Sequence, residues 1–137
     1  MVDKKGRLLS LADIEGKISP HHLQVKGALK IRAAPLEYVT DVEALAAFLG
    51  GRVEKPGIGE DWAVSKEIFP GVSVYLVFNR SDSEFPATLR ALYSGDKIRM
   101  IKGEELATIT ISLTNQILRY VRGTNPHMKL PDVCYRV

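Results

Sequence analysis

Cysteine occurs once in this chain, at Cys134, so no internal disulfide can form and a reducing cytoplasm is the expected address. No apolar run approaches the roughly 18 residues that a membrane span requires. The opening residues 1–10 carry no hydrophobic stretch of the export type, so neither a membrane nor a secretory route is expected. Internal repeats, low-complexity tracts and Pro/Gly/Ser-rich linkers are absent as well. The expectation is one domain over residues 1–137, which at 15.2 kDa is large enough to bury a core without staples. Hydrophobic residues at 45% and charged residues at 26% exclude a disordered chain.

Charge of one sign is scarce where it would matter most. No Lys/Arg run exceeds two residues, and none is interleaved with aromatics in the manner of a base-stacking platform. The net charge of +3 is unevenly spread. Residues 1–35 carry seven Lys/Arg against three Asp/Glu, residues 36–88 four against nine, and residues 89–137 eight against four. Basic ends flank an acidic middle. A nucleic-acid-binding protein using Lys4, Lys5, Arg7, Arg119, Arg122 and Lys129 is an alternative that these electrostatics permit without pointing to it.

The hydrophobic pattern defines the elements. Leu8, Leu9, Leu11, Ala12 and Ile14 suit a short helix opened by Ser10 or a residue just before it, and Gly16 and Ser19-Pro20 punctuate it. Between His22 and Ala34 the spacing fits a helix broken at Gly27 or a strand from Ala28 to Ala33, ended by Pro35. Thr40 or Asp41 caps a helix whose stripe is Val42, Leu45, Ala46, Phe48 and Leu49, closed by Gly50-Gly51.

From there the period becomes alternating. Trp62, Val64, Lys66 and Ile68 share one side of a strand, and Pro70-Gly71 turns it. Val72, Val74, Leu76 and Phe78 then alternate with Ser73, Tyr75, Val77 and Asn79, a central strand covered on both sides. Residues 79–84 read as a hairpin loop, and residues 87–93 as the returning strand. Ser94-Gly95-Asp96 turns into a further strand over Lys97–Ile101, whose alternating charge protects it as a sheet edge. Residues 104–122 alternate like a strand over Ala107–Leu113. Over the longer window Leu106, Ile109, Leu113, Ile117, Tyr120 and Val121 recur at helical steps, and Glu104/Glu105 with Arg119/Arg122 suit the two helix ends, which favours helix. The tail from Asn125 is expected to lie extended against the body. The fold class is therefore α+β, an antiparallel meander of three to five strands with helices packed mainly on one face.

Chemistry-bearing residues do not assemble into a catalytic pattern. His21, His22, His127 and Cys134 are the only soft or borderline metal ligands, and only the histidine doublet is close; it reads as a solvated loop before an element. Cys134 reads as a small apolar side chain packing the tail, and no Gly-x-Ser-x-Gly elbow occurs. Gly57-Ile-Gly59-Glu-Asp lacks the third glycine, lysine and helix of a phosphate loop and reads as a flexible connection. Carboxylates pair at Glu60/Asp61, Asp82/Glu84 and Glu104/Glu105. Asp82 and Glu84 suit turn amides, and Glu84 or Asp61 is the base an enzyme reading would need. Trp62 fits a core position better than a ligand platform. No catalytic residue, metal ligand or cofactor is assigned.

One segment resembles a known pattern. Phe69-Pro-Gly-Val-Ser-Val-Tyr-Leu-Val-Phe78, then Asp82-Ser-Glu84-Phe-Pro-Ala87 and a later Leu-Tyr, resemble an uncharacterised prokaryotic family, a domain of unknown function found mainly in anaerobic bacteria and archaea. The resemblance covers Trp62 to Val121 and implies a strand–hairpin–strand–helix order. Some members are similar in carrying a neighbouring iron–sulfur domain, which implies a link to anaerobic one-carbon or electron-transfer chemistry. One cysteine cannot supply the four thiolates of such a cluster, so a partner would have to bring it. The expected function is a non-enzymatic accessory module binding a small ligand or a partner protein, in a pocket between sheet and helices. Any homodimer is expected to use helices.

Overall fold

The computed structural model describes residues 8–137. Among them, helices α1 (Leu11–Glu15), α2 (Pro20–Arg32) and α3 (Val42–Leu49) precede four strands, β1 (Arg52–Val53), β2 (Trp62–Phe69), β3 (Val72–Asn79) and β4 (Thr88–Ser94). The long helix α4 (Gly103–Thr124) follows. The strands form one antiparallel sheet in chain order, β1-β2-β3-β4, so the α+β meander is as expected.

Local chemistry explains the boundaries. Ser10 caps α1 reciprocally, its Oγ accepting from Asp13 N at 3.1 Å while Asp13 Oδ2 accepts from Ser10 N at 2.9 Å. Ser19 Oγ accepts from the backbone of His21 and His22, and Pro20 takes the first helical position, where its missing N–H costs nothing. These caps place both histidines in the first turn of α2 and correct the expectation of a solvated loop. The segment from His22 is helix rather than strand as far as Arg32, and Pro35 lies inside a following 3-10 turn, Ala34–Tyr38; Gly27 is carried in the helix at a cost of about 1 kcal/mol. Packing offsets that cost, because Val25 and Leu29 are buried and Arg32 Nε donates to Asn115 Oδ1 of α4 at 3.0 Å. Asp41 caps α3 through Ala44 N, and Gly50, at φ +76°, closes it by donating to Ala47 O while Gly51 donates to Ala46 O.

The sheet is built around β3. Phe69 pairs with Val72 across Pro70-Gly71, the tight turn of the first hairpin. In the second hairpin Asp82 Oδ1 accepts from Glu84 N at 2.8 Å and Phe85 N at 2.7 Å, the turn-amide role expected of that carboxylate. Val72, Val74, Leu76 and Phe78 are fully buried beneath the helices, each contributing on the order of 2 kcal/mol. Their neighbours Ser73, Tyr75 and Asn79 are only half-buried although Val77 between them is fully buried, so the second side of β3 is covered in part, where full cover on both sides was expected.

Residues Lys97–Ile101 form no strand. Gly95, at φ +124°, throws the chain across the first hairpin, where Lys97 N donates to Gly71 O, and a single 3-10 turn follows over Ile98–Met100. A further strand would need the outer edge of β4, and Leu9 already holds part of it: Leu9 N donates to Tyr93 O at 2.8 Å and Tyr93 N to Leu9 O at 2.7 Å. At the opposite edge the short β1, unmarked in the sequence pattern, pairs Arg52 with Ser65 and Val53 with Val64.

Residues 104–122 are helical, within α4, and pack Leu106, Leu113, Ile117, Leu118 and Val121 into the core. Trp62 is core too, 3% exposed, packed at a tilt of 32° against Phe78 with ring centroids 5.0 Å apart. The tail after Asn125 packs Leu130, Val133 and Cys134 inward but ends in a 3-10 turn, Asp132–Tyr135, rather than running extended.

Candidate functional site

Strand alternation sends Ser65, Glu67, Ser73, Tyr75 and Leu92 to the side of the sheet away from the helices. Glu54, just past β1, joins them because its N–H still donates to Ala63 O at 3.0 Å. Its Oε1 accepts from Ser65 Oγ at 2.7 Å and from Arg52 Nε at 3.2 Å. The Ser65 hydroxyl and, less strongly, Arg52 hold the Glu54 carboxyl below its ordinary range. Tyr75 interacts with both Glu54 and Ser94, and burial followed by the Glu54 charge pushes its hydroxyl above the ordinary value. Ser65 and Ser94 are themselves buried, so the network is fixed from beneath.

Two depressions meet at this network. One, of about 480 Å³, is lined by Leu8, Glu54, Lys55, Ile58, Tyr75 and Leu92. The other, of about 460 Å³, runs from Gly51 and Arg52 past Ser65 and Tyr75 to Glu67 and Ser73. Glu54 and Tyr75 border both. A carboxylate has roughly four acceptor directions. Ser65 and Arg52 occupy two at Oε1, and the Tyr75 hydroxyl bonds to the same carboxylate, so at least one acceptor direction remains for a ligand. Nothing in the sequence singles out Glu54 or Tyr75; the available signal is Ser73, Tyr75 and Asn79 at alternate positions of β3, interrupted by Val77.

Between the helix layer and the sheet, the described residues form a groove at the sheet's edge. It is a groove of about 240 Å³ between α2 and β4, lined by His22, Val25, Lys26 and Leu29 on one side and residues 89–93 on the other.

The residues weighed from the sequence are dispersed. His21 Nδ1 lies 2.9 Å from Glu15 Oε1, His22 borders the β4 groove, His127 is exposed on the tail and Cys134 is buried. Among the described residues no three His, Cys, Asp or Glu side chains converge as metal ligands. Burial pushes the Cys134 thiol up, away from nucleophilic character. Asp61 is exposed, with its Oδ2 accepting from Arg80 N at 2.6 Å, and Glu84 is exposed in the hairpin; neither lines the depressions described above. The Gly57–Gly59 segment is a built turn rather than a flexible connection. Glu60 accepts from Gly57 N at 2.9 Å and Ile58 N at 2.7 Å, so its own carboxylate takes the amides a phosphate would need. Lys4, Lys5 and Arg7 lie outside the described residues. Arg119 and Lys129 are exposed, whereas Arg122 donates to Cys134 O at 3.3 Å.

No described helix is long and apolar enough to cross a membrane. Residues 3–116 match the model of a family described as a domain of unknown function. No curated protein and no solved structure matches the chain.

Proposed function

Because the chain belongs to DUF3786, a family of unknown function, we propose that it is a non-enzymatic accessory module that binds a small polar ligand on the uncovered face of its sheet. The observation that carries this reading is the Glu54–Ser65–Tyr75–Ser94 network at the meeting of two depressions. Glu54 and Tyr75 are half-exposed but are held by the buried Ser65 and Ser94, and such fixing lowers the entropy cost of capturing a ligand. The lowered carboxyl and the raised phenol fix the charges near neutral pH as one anion and one neutral hydroxyl, which favours a ligand rich in hydrogen-bond donors or bearing a cation.

A reducing cytoplasm suits the one buried thiol, and a place in anaerobic metabolism belongs to the same reading on the strength of the Phe69–Gly71 and Asp82–Pro86 motifs. A single domain over residues 1–137 is supported by one buried cluster running from Leu9 to Cys134. Self-association through helices is supported by the outer side of α2, where Leu23, Gly27 and Ile31 lie exposed at four-residue steps; light scattering at high concentration reads it.

Native mass spectrometry of the protein purified from its own host tests the ligand. A bound small molecule is expected, retained by the wild type and lost from Glu54→Gln and Tyr75→Phe proteins of unchanged circular dichroism. Mass spectra showing bare protein, or a ligand indifferent to both substitutions, would remove the sheet face as its site.

A further inference from the structure

The groove beside β4 touches every residue from Leu89 to Tyr93. Successive strand residues point to opposite faces, so a depression bordered by five in a row runs along the strand's edge, not over one face. In an antiparallel pair the backbone groups of alternate residues face the neighbour and those between them face away. Tyr93 turns its N–H and C=O outward to Leu9, so Ala91 and Leu89, in the same phase, turn theirs outward as well. The chain itself begins an outer strand at Leu9 and leaves it when Ser10 caps α1. Among the described residues, the outward groups of Ala91 and Leu89 have no backbone partner.

We propose that this edge takes an extended segment of a partner protein by strand addition, and that the segment alternates apolar with acidic residues. The alternation follows from the walls. On the helix side the added strand would meet Val25, Leu29 and Leu89, all buried and apolar. The exposed Arg90 stands on the other side of the strand and the exposed Lys26, with His22, on α2 above the groove, neither Lys26 nor Arg90 within salt-bridge distance of a carboxylate among the described residues. Cations without local partners favour an acidic occupant. With two free rungs, affinity is expected in the micromolar range. This proposal is independent of the sheet-face ligand.

The probe is a short fluorescein-labelled peptide of alternating valine and glutamate, followed by fluorescence anisotropy against the full chain. Two controls accompany it: the valine–lysine counterpart, and the acidic peptide methylated on alternate backbone nitrogens in either phase. The acidic peptide is expected to bind, and methylation in one phase to abolish binding by removing the ladder donors. Lys26→Glu with Arg90→Glu, both exposed, is expected to weaken the acidic peptide about tenfold and to strengthen the lysine peptide. Hydrogen exchange at the Ala91 and Leu89 amides is expected to slow on binding. No binding at about 1 mM peptide would overturn the proposal. So would equal binding of both methylated forms, or a dimer in light scattering that the peptide dissociates, which would give the edge to a second copy.

Discussion

The carboxylate of Glu15, at the end of α1, rests on the backbone of Gly103 at the start of α4, in the space a β-carbon on residue 103 would fill. The residue preceding α4, Lys102, makes no side-chain cap. The carboxylate therefore supplies from another helix the acceptor that Lys102 withholds, at the positive end of a helix of 22 residues whose first turn already carries Glu104 and Glu105. Ser19 and His21 hold it there, donating to Oε1 at 2.8 Å and lying 2.9 Å from it respectively.

A methyl at residue 103 would displace this cap. Because the obstructing atoms are the far end of a flexible side chain, Glu15 would swing out while the backbone stays. Gly103→Ala is expected to lose only the cap, about 0.5–1 kcal/mol in urea unfolding, with helix content unchanged by circular dichroism.

The same contact sets a pH dependence. Hydrogen bonds from His21 and then Ser19 hold the Glu15 carboxyl below its ordinary range in the folded chain. A carboxyl lowered by folding contributes stability that is present above its unfolded value and lost as pH falls through the folded one. Glu15→Gln, which keeps an acceptor without the titration, is expected to be less stable than wild type at neutral pH, with the gap closing as pH falls below about 4.3. Urea midpoints across that range measure it; a gap constant with pH would detach Glu15 from the helix.

Tyr93 and Thr110 join sheet to helix in the core, Oη and Oγ1 lying 2.6 Å apart. Thr110 spends its one hydrogen on Leu106 O at 2.7 Å, so the tyrosine must donate to the threonine. Burial pushes the Tyr93 hydroxyl up to about 12. Thr110→Val would leave that hydroxyl buried and unpaired, at about 1–3 kcal/mol, whereas Tyr93→Phe removes the donor and is expected to cost only about 1 kcal/mol. Unfolding of both single variants and the double variant measures the coupling, and equal single costs would contradict the assigned direction.

The sequence made the main architecture legible because its strongest signals were local. Asp41 with Gly50-Gly51 bounded α3, Pro70-Gly71 turned the first hairpin, and six apolar residues at helical steps carried α4 past its own β-branched stretch. What stayed hidden depended on partners far along the chain. Lys97–Ile101 alternates well enough for a strand, but Leu9 occupies part of the edge it would need. The histidine doublet reads as loop until Ser19 is known to cap it. The sheet-face network was illegible for the same reason, since Glu54, Ser65, Tyr75 and Ser94 belong to four different segments and meet only through strand register.

The segment Ala107–Leu113 is held helical by what surrounds it. Its seven residues carry no charge and no proline, and two isoleucines and two threonines stand among them. That composition is the one from which intermolecular cross-β stacks are built once a chain is released from its native partners. The fold thus keeps a segment of that composition inside its longest described helix. Partial opening of α4, more than loss of the sheet, is the event after which molecules would stick to one another before they could refold.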